Sequence, residues 1–260
     1  MVHRFTMKEA VLPRILGLLA LMLLAMSAPI ARADDIKGQK MVLPAQERQV
    51  EVTYFRATGD NPRPTALLLH GANGFDSQIA GYNSYAAALA ARGIDAYLVY
   101  YYSTADEKSM FGGDDVFAER YASWTRLISD LAADVRGQKL SNGKVGLVGF
   151  SNGGILATGA SARDPDISAA VIYYGTPPFP MDRPVTRFPP LLILHGDADV
   201  IISVEQGRRL AQLAKQLGTP AELVIYPGER HGFGSHLETA NGADALSRSI
   251  AFLRRELNAP

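Results

Sequence analysis

Cysteine is absent from the sequence. The protein therefore forms no disulfide, has no thiol nucleophile and carries no cysteine-linked lipid anchor. Its stability must come from a buried core, and 47% apolar residues in 260 suffice for one large or two small domains. An excess of charge of one sign is also absent, because 26 basic residues balance 26 acidic ones. The composition thus favours neither nucleic acid nor an anionic membrane surface as a partner.

No apolar run has the length expected of a membrane span. The apolar run at residues 15–26 follows Arg4, Lys8 and Arg14, and an Ala-Arg-Ala sequence ends at Ala33. This order is typical of a secretory signal peptide, so residues 1–33 are expected to be removed. An uncleaved anchor is the alternative. We expect residues 34–260 to form a single periplasmic or secreted domain without stable membrane association.

A serine lies between glycines in the sequence Gly149-Phe150-Ser151-Asn152-Gly153. An apolar stretch precedes it and a helix-compatible stretch follows, as in a nucleophile elbow, whose tight turn exposes the serine Oγ. Glycine is needed there because a Cβ would collide where the strand and helix backbones pass closely. We predict that Ser151 is a nucleophile, although a glycine-rich turn between core elements would show the same pattern.

Strand-like and helix-like segments alternate along the chain. Strands are expected at residues 50–55, 66–69, 94–100, 145–148, 169–174, 191–194 and 223–226, and helices at 82–91, 117–135, 203–218 and 246–257. Residues 34–46 are polar and are expected to be a leader, and residues 103–115 are expected to form a loop over the site. The alternation predicts an α/β fold with a mostly parallel sheet covered by helices on both faces. Ligands bind such sheets at the carboxyl ends of the strands.

A nucleophilic serine requires a base that an acid orients. Of five histidines, His231 is the best placed base, because it lies in the segment that follows the last predicted strand, although a histidine of a surface loop could occupy the same position. Asp197 and Asp199 both follow the penultimate strand, and we select Asp199 while Asp197 stays a competitor. The resulting order of serine, aspartate and histidine is the one found in the α/β-hydrolase fold.

From about residue 50 to residue 257 the sequence resembles the α/β-hydrolases, and among them the dienelactone hydrolase family. The matching segments are residues 68–74, 149–154, 173–175, 195–199 and 231–233. The resemblance implies a three-layer α/β-hydrolase fold, with the acid at Asp199 and the base at His231. It also implies that the backbone N–H groups of Ala72 and Asn152 form the oxyanion hole.

Two positions depart from the family pattern. Ser151 stands where the dienelactone enzyme has cysteine, and residues 234–236 contain no counterpart of its substrate-binding arginine. The resemblance therefore implies a serine esterase or lactonase for small soluble substrates, with acyl-enzyme chemistry, rather than an enzyme for dienelactone itself. Tyr102, Phe111 and Tyr174 are candidate substrate-binding residues, although each could instead pack to anchor a loop.

No cofactor is implied, and no histidine and carboxylate spacing matches a zinc site. Two other functions remain open at this point. A prolyl-oligopeptidase-like peptidase has the same order of catalytic residues, and a non-catalytic binding protein can have the same fold. The sequence does not specify the acyl group, the leaving group or the oligomeric state.

Overall fold

The computed structural model describes residues 32–45, 48–102, 114–179 and 184–259. Most of the predicted signal peptide lies outside the described residues, as do residues 103–113 of the loop predicted at 103–115, which include Phe111. The last two residues of that predicted loop, 114 and 115, instead belong to a helix. Within those residues, no helix has the length and apolar character needed to cross a membrane.

One sheet of eight strands runs through the part of the chain that the structure describes. The strands are β1 (Gln39–Ala45), β2 (Arg48–Phe55), β3 (Arg63–Leu69), β4 (Asp95–Val99), β5 (Ser141–Phe150), β6 (Ile167–Tyr173), β7 (Leu191–Gly196) and β8 (Ala221–Tyr226). Their order is β1-β2-β4-β3-β5-β6-β7-β8, and the sheet is parallel from β4 to β8. Two antiparallel pairs complete the described sheet, because β2 pairs in this manner with both β1 and β4. The predicted mostly parallel sheet is confirmed.

Helices cover both faces of this sheet. They are α1 (Ile79–Ala90), α2 (Asp114–Arg136), α3 (Asn152–Arg163), α4 (Val204–Gln216) and α5 (Ala240–Glu256). Successive side chains of a strand point to opposite faces. Accordingly, Leu67 and Leu69 of β3 belong to the core under α2, α3 and α4, whereas Leu68 belongs to the core under α1 and α5. The result is the three-layer architecture that the sequence predicts.

The expectation of a polar leader at residues 34–46 is wrong. Residues 39–45 form β1, which pairs with β2 so that Leu43 lies opposite Val50. Leu43 is buried while the neighbouring Val42 is 58% exposed, so one face of the strand packs on the core. The period-two pattern of this edge strand is short and lies among charged residues, which hid it in the sequence. Pro44 fits because an edge strand has one unpaired side.

The strand register brings the functional loops to one edge. Leu69 pairs with Gly149, and Gly149 pairs with Ile172. Further along the sheet, Gly196 pairs with Tyr226. Because these parallel strands end level with one another, the loops that follow β3, β5, β6, β7 and β8 meet at the same edge.

Candidate active site

Ser151 occupies a strained turn between β5 and α3, with φ 55° and ψ −118°. A positive φ is unfavourable for a residue with a Cβ and persists only where the surrounding structure holds it. Here the Ser151 N–H donates to the Tyr173 carbonyl at 3.1 Å, and the Ser151 carbonyl accepts from the Ile155 N–H at 3.0 Å. The flanking strand and helix therefore maintain the strained backbone.

The glycines of the elbow sit where no side chain fits. A Cβ on Gly149 would lie 2.1 Å from the Gly153 carbonyl oxygen. A Cβ on Gly153 would lie 2.2 Å from the Leu69 carbonyl oxygen. Both distances are far below van der Waals contact. The close approach of β3, β5 and α3 thus requires glycine at both positions.

His231 links Ser151 to Asp199 through its two ring nitrogens. Its Nε2 lies 2.9 Å from Ser151 Oγ, and its Nδ1 lies 2.7 Å from Asp199 Oδ2. The Asp199 side chain is fully buried, whereas that of His231 is 21% exposed. A carboxylate at Nδ1 favours the tautomer with a proton on Nδ1, which leaves the Nε2 lone pair directed at the serine hydroxyl.

The second oxygen of the Asp199 carboxylate is held by the backbone. Its Oδ1 accepts from the N–H groups of Ile201 and Ile202, each at 2.9 Å. Asp197 has a different partner, because its Oδ1 accepts from the Gly228 N–H at 2.7 Å. Of the two candidate acids, the structure therefore brings Asp199 to His231, and Asp197 ties together the loops that follow β7 and β8.

Ala72 and Asn152 line the same cavity as Ser151. A Cβ on Gly71 would lie 3.4 Å from Ser151 Cβ, so the loop after β3 passes directly beside the serine. Asn152 is the first residue of α3, where backbone N–H groups have no partner within the helix. Such N–H groups are suited to bind a developing negative charge.

His70, whose role sequence reasoning missed, anchors this loop. Its buried ring donates from Nδ1 to the Gly71 carbonyl at 2.8 Å. Tyr101 stacks on the ring with centroids 4.0 Å apart, and its hydroxyl donates to the His70 carbonyl at 2.8 Å. Burial lowers the pKa of His70 to about 4, so the ring is neutral near pH 7. A histidine at the end of a buried strand was the available signal.

The cavity beside Ser151 has a volume of about 850 Å³. Its wall combines apolar side chains with neutral polar ones, among them Asn73, Ser77, Gln78, Phe117, Ile155, Phe179, Ile201 and Ile202. Among the residues that the structure describes, no lysine, arginine, aspartate or glutamate lines it. Within the same described ranges, no group of three or more histidine and carboxylate side chains is arranged to hold a metal ion.

The predicted substrate-binding residues differ in their placement. Tyr174 lines the cavity, with its ring centroid 4.7 Å from that of His231 and a strained φ of 40°. Tyr102 is placed differently, because it is not among the described residues that line the cavity. Its ring centroid lies 4.6 Å from that of His70 and 5.0 Å from that of Trp124. Tyr102 thus packs in the core against the histidine that anchors the loop after β3. Phe111 is not among the described residues.

Sequence comparison identifies the family of the chain. The sequence profile of the dienelactone hydrolase family matches residues 55–257. The chain belongs to the dienelactone hydrolase family. A Yersinia pestis protein provisionally named carboxymethylenebutenolidase is 28% identical to this family member over 111 residues. That match covers 39% of this chain and 42% of the relative, so it spans less than half the length of either.

Solved structures of similar proteins show the same fold. A dienelactone hydrolase from Anabaena variabilis superposes with a TM-score of 0.68 at 17% identity, covering 85% of this family member and 99% of that chain. An esterase from Pyrobaculum calidifontis superposes with a TM-score of 0.68 at 18% identity, covering 93% and 92% of the two chains. At such low identities these similarities establish the α/β-hydrolase fold alone.

Proposed function

We propose that the protein hydrolyses carboxylic esters or lactones of small substrates through an acyl-enzyme intermediate. Ser151 is the nucleophile, His231 the base and Asp199 the acid. The observation that carries this proposal is the hydrogen-bond path from Ser151 Oγ through both nitrogens of His231 to Asp199. Family membership and the name of the Yersinia relative support the reaction class.

In the first half-reaction, His231 Nε2 accepts the Ser151 hydroxyl proton while Oγ attacks the substrate carbonyl carbon. The N–H groups of Ala72 and Asn152 bind the oxygen on which negative charge develops. Losing one such donor typically costs about 3 to 4 kcal/mol of transition-state stabilisation. The bond to the leaving oxygen then breaks, and His231 gives that oxygen the proton it took from Ser151.

In the second half-reaction, a water molecule loses its proton to His231 and attacks the acyl carbon. The acyl-oxygen bond to Ser151 breaks, and Oγ recovers a proton from His231. An ester yields an acid and an alcohol, and a lactone yields one hydroxy acid. Asp199 stabilises the imidazolium form of His231 in both halves, and the buried position of its carboxylate limits screening by water.

The cavity wall supports uncharged substrates with an apolar group. The side chains of Phe117, Ile155 and Phe179 offer apolar contact area within reach of the serine. Without a cation among the described lining residues, a substrate carboxylate would lose water without gaining a partner there. We therefore expect neutral esters to react better than esters that carry a free carboxylate.

Labelling with a fluorophosphonate tests the proposal, because the probe reacts with an activated serine and requires no knowledge of the substrate. We expect the label on Ser151 and its loss in the His231→Ala variant. His236→Ala is the matched control, since this half-exposed histidine contacts Glu238 and lies outside the cavity wall. Folded protein that remains unlabelled would contradict the proposal and favour a non-catalytic binding protein.

A substrate panel separates the remaining reactions. Neutral esters, carboxylate-bearing esters, lactones and peptide amides should be compared by kcat/KM. We expect turnover of esters or lactones to exceed that of peptides by orders of magnitude. Peptide turnover equal to ester turnover would favour the prolyl-oligopeptidase-like function instead.

We further propose that residues 1–33 are a signal peptide and that the domain acts in the periplasm or the medium. The basic residues, the apolar run and the Ala-Arg-Ala sequence support this proposal. N-terminal sequencing of protein produced from the full sequence should find Asp34 as the first residue. An intact N-terminus in the membrane fraction would instead indicate an uncleaved anchor.

A further inference from the structure

His195 takes no part in the steps above, yet its ring lies close to the carboxylate of Asp199, the proposed acid. It is the fifth residue of β7 and is completely buried. Its Nε2 lies 2.8 Å from the Ile202 carbonyl oxygen. Because a carbonyl oxygen only accepts hydrogen bonds, Nε2 must carry the proton.

Ile202 is held from both sides of its backbone. Its N–H donates to Asp199 Oδ1 at 2.9 Å, and its carbonyl accepts from His195 Nε2. The turn that orients the acid is therefore tied to the end of β7 through one histidine.

The charge on His195 also matters for His231. His195 Nε2 lies 3.6 Å from Asp199 Oδ2, the same oxygen that accepts from His231. A charged His195 would compete with His231 for that oxygen. Burial lowers the pKa of His195, although the nearby Asp199 acts in the opposite direction. Its buried Nδ1 also has no hydrogen-bond partner among the described residues, so a second proton would have no acceptor.

Helix α4 packs against the Nδ1 side of the His195 ring. A Cβ on Gly207 would lie 2.8 Å from His195 Nδ1. The imidazole is therefore confined between the Ile202 carbonyl and the backbone of α4. A glycine inside a helix is unfavourable by about 1 kcal/mol relative to alanine, and the ring explains its presence here.

We propose that His195 is a positioning residue, whose neutral Nε2–H form fixes Ile202 and thereby the Asp199 carboxylate against His231. This inference rests on the proposed function. It assigns to His195 a role in the geometry of the reaction and no direct contact with the substrate.

Two substitutions test the role of the donor. In His195→Gln, the side-chain amide presents an N–H close to the position of the imidazole Nε2, whereas His195→Leu removes the donor. We expect the leucine variant to lose about 10- to 100-fold in kcat with little change in KM, the effect of a small misplacement of a catalytic group. We expect the glutamine variant to stay within several-fold of the wild type.

The 1H NMR signal of the His231 Nδ1 proton gives a readout that does not depend on catalysis. A proton in a short hydrogen bond to a carboxylate resonates far downfield, so displacement of Asp199 in the leucine variant should move this signal upfield. The glutamine variant should keep the wild-type chemical shift. Gly207→Ala offers a further test, because it displaces the His195 ring without changing its chemistry and should also lower kcat and move the His231 signal upfield.

A folded leucine variant with wild-type kcat and an unchanged His231 Nδ1 proton signal would overturn the inference. Equal losses of kcat in the glutamine and leucine variants, with that signal unchanged, would also overturn it, since they indicate a structural role alone. Failure of Ser151 to label in the wild type would instead reject the proposed function. The proton signal would still report whether His195 positions Asp199.

Discussion

Asp199 Oδ2 lies 2.7 Å from His231 Nδ1, although 32 positions separate the two residues along the chain. They belong to the loops after β7 and β8, neighbouring parallel strands in which Gly196 pairs with Tyr226. The distance between the two side chains is thus set by strand pairing rather than by either loop alone. Asp197 belongs to the same loop as Asp199 but bonds to the Gly228 N–H instead.

This difference predicts unequal effects for two similar substitutions. Asp199→Asn should lower kcat by about 10⁴-fold, because an amide no longer stabilises the imidazolium or selects the required tautomer. Asp197→Asn should leave kcat close to wild type, since the asparagine oxygen still accepts from Gly228. Steady-state kinetics on the best ester, with thermal unfolding as the check on folding, measures both. Greater damage from Asp197→Asn would show that the acid is misassigned.

The elbow glycines predict a steric effect on stability. Gly153→Ala should lower the free energy of unfolding by about 3 kcal/mol or more, because the new Cβ meets the Leu69 carbonyl oxygen at 2.2 Å. Gly137→Ala is the control, since its Cβ would make only ordinary contacts at 3.5 Å or more. Urea unfolding compares the two variants. A Gly153→Ala protein of wild-type stability would contradict the elbow geometry.

A buried ion pair lies at the amino ends of β3 and β4, away from the candidate site. Arg63 Nε contacts Asp95 Oδ1 at 2.8 Å, with side chains only 3% and 9% exposed. Arg63→Met leaves the buried Asp95 carboxylate without a cation, although the Ala57 N–H and the Tyr54 hydroxyl still donate to it, and should lower the free energy of unfolding by about 3 kcal/mol. Because both residues begin parallel strands, far from the carboxyl ends that carry the site, kcat of the folded fraction should not change.

Arg56→Met provides the matched control for this pair. Arg56 contacts Asp60 at 2.8 Å, but these side chains are 48% and 91% exposed. Removing an exposed pair should change the free energy of unfolding by less than about 1 kcal/mol. Equal losses from Arg63→Met and Arg56→Met in urea unfolding would refute the distinction between buried and exposed pairs.

The buried His70 predicts a pH dependence of stability. Its pKa is about 4 in the folded protein against an ordinary 6.5, so between these values the unfolded chain binds more protons. The contribution of His70 is therefore complete above pH 6.5 and is lost as the pH falls toward 4. The loss should reach about 3 kcal/mol, since each pKa unit corresponds to about 1.4 kcal/mol.

His70→Asn removes this contribution, while an asparagine amide can still donate near the Gly71 carbonyl. Urea unfolding measured from pH 7 to pH 4.5 should therefore show a shallower decline for this variant than for the wild type. The exposed His236 supplies the control, and His236→Asn should retain the wild-type slope. Identical slopes for the wild type and His70→Asn would show that His70 does not titrate as proposed.

Local sequence patterns were sufficient for several features of this protein. The glycines around Ser151 predicted a close backbone approach, and the alternation of apolar segments predicted the parallel sheet and its two helical layers. The position of His231 after the last strand predicted that it would reach the serine. Each of these inferences depends on chain order and on local spacing, which a single sequence contains.

The tertiary structure decided what depends on contacts between distant segments. Asp197 and Asp199 have the same local pattern, and only the pairing of β7 with β8 determines which carboxylate meets His231. Likewise Tyr102 packs in the core against His70 and Trp124, whereas Tyr174 lines the cavity. Side-chain direction in a loop follows from strand register and helix packing, and these are long-range contacts that no local pattern specifies.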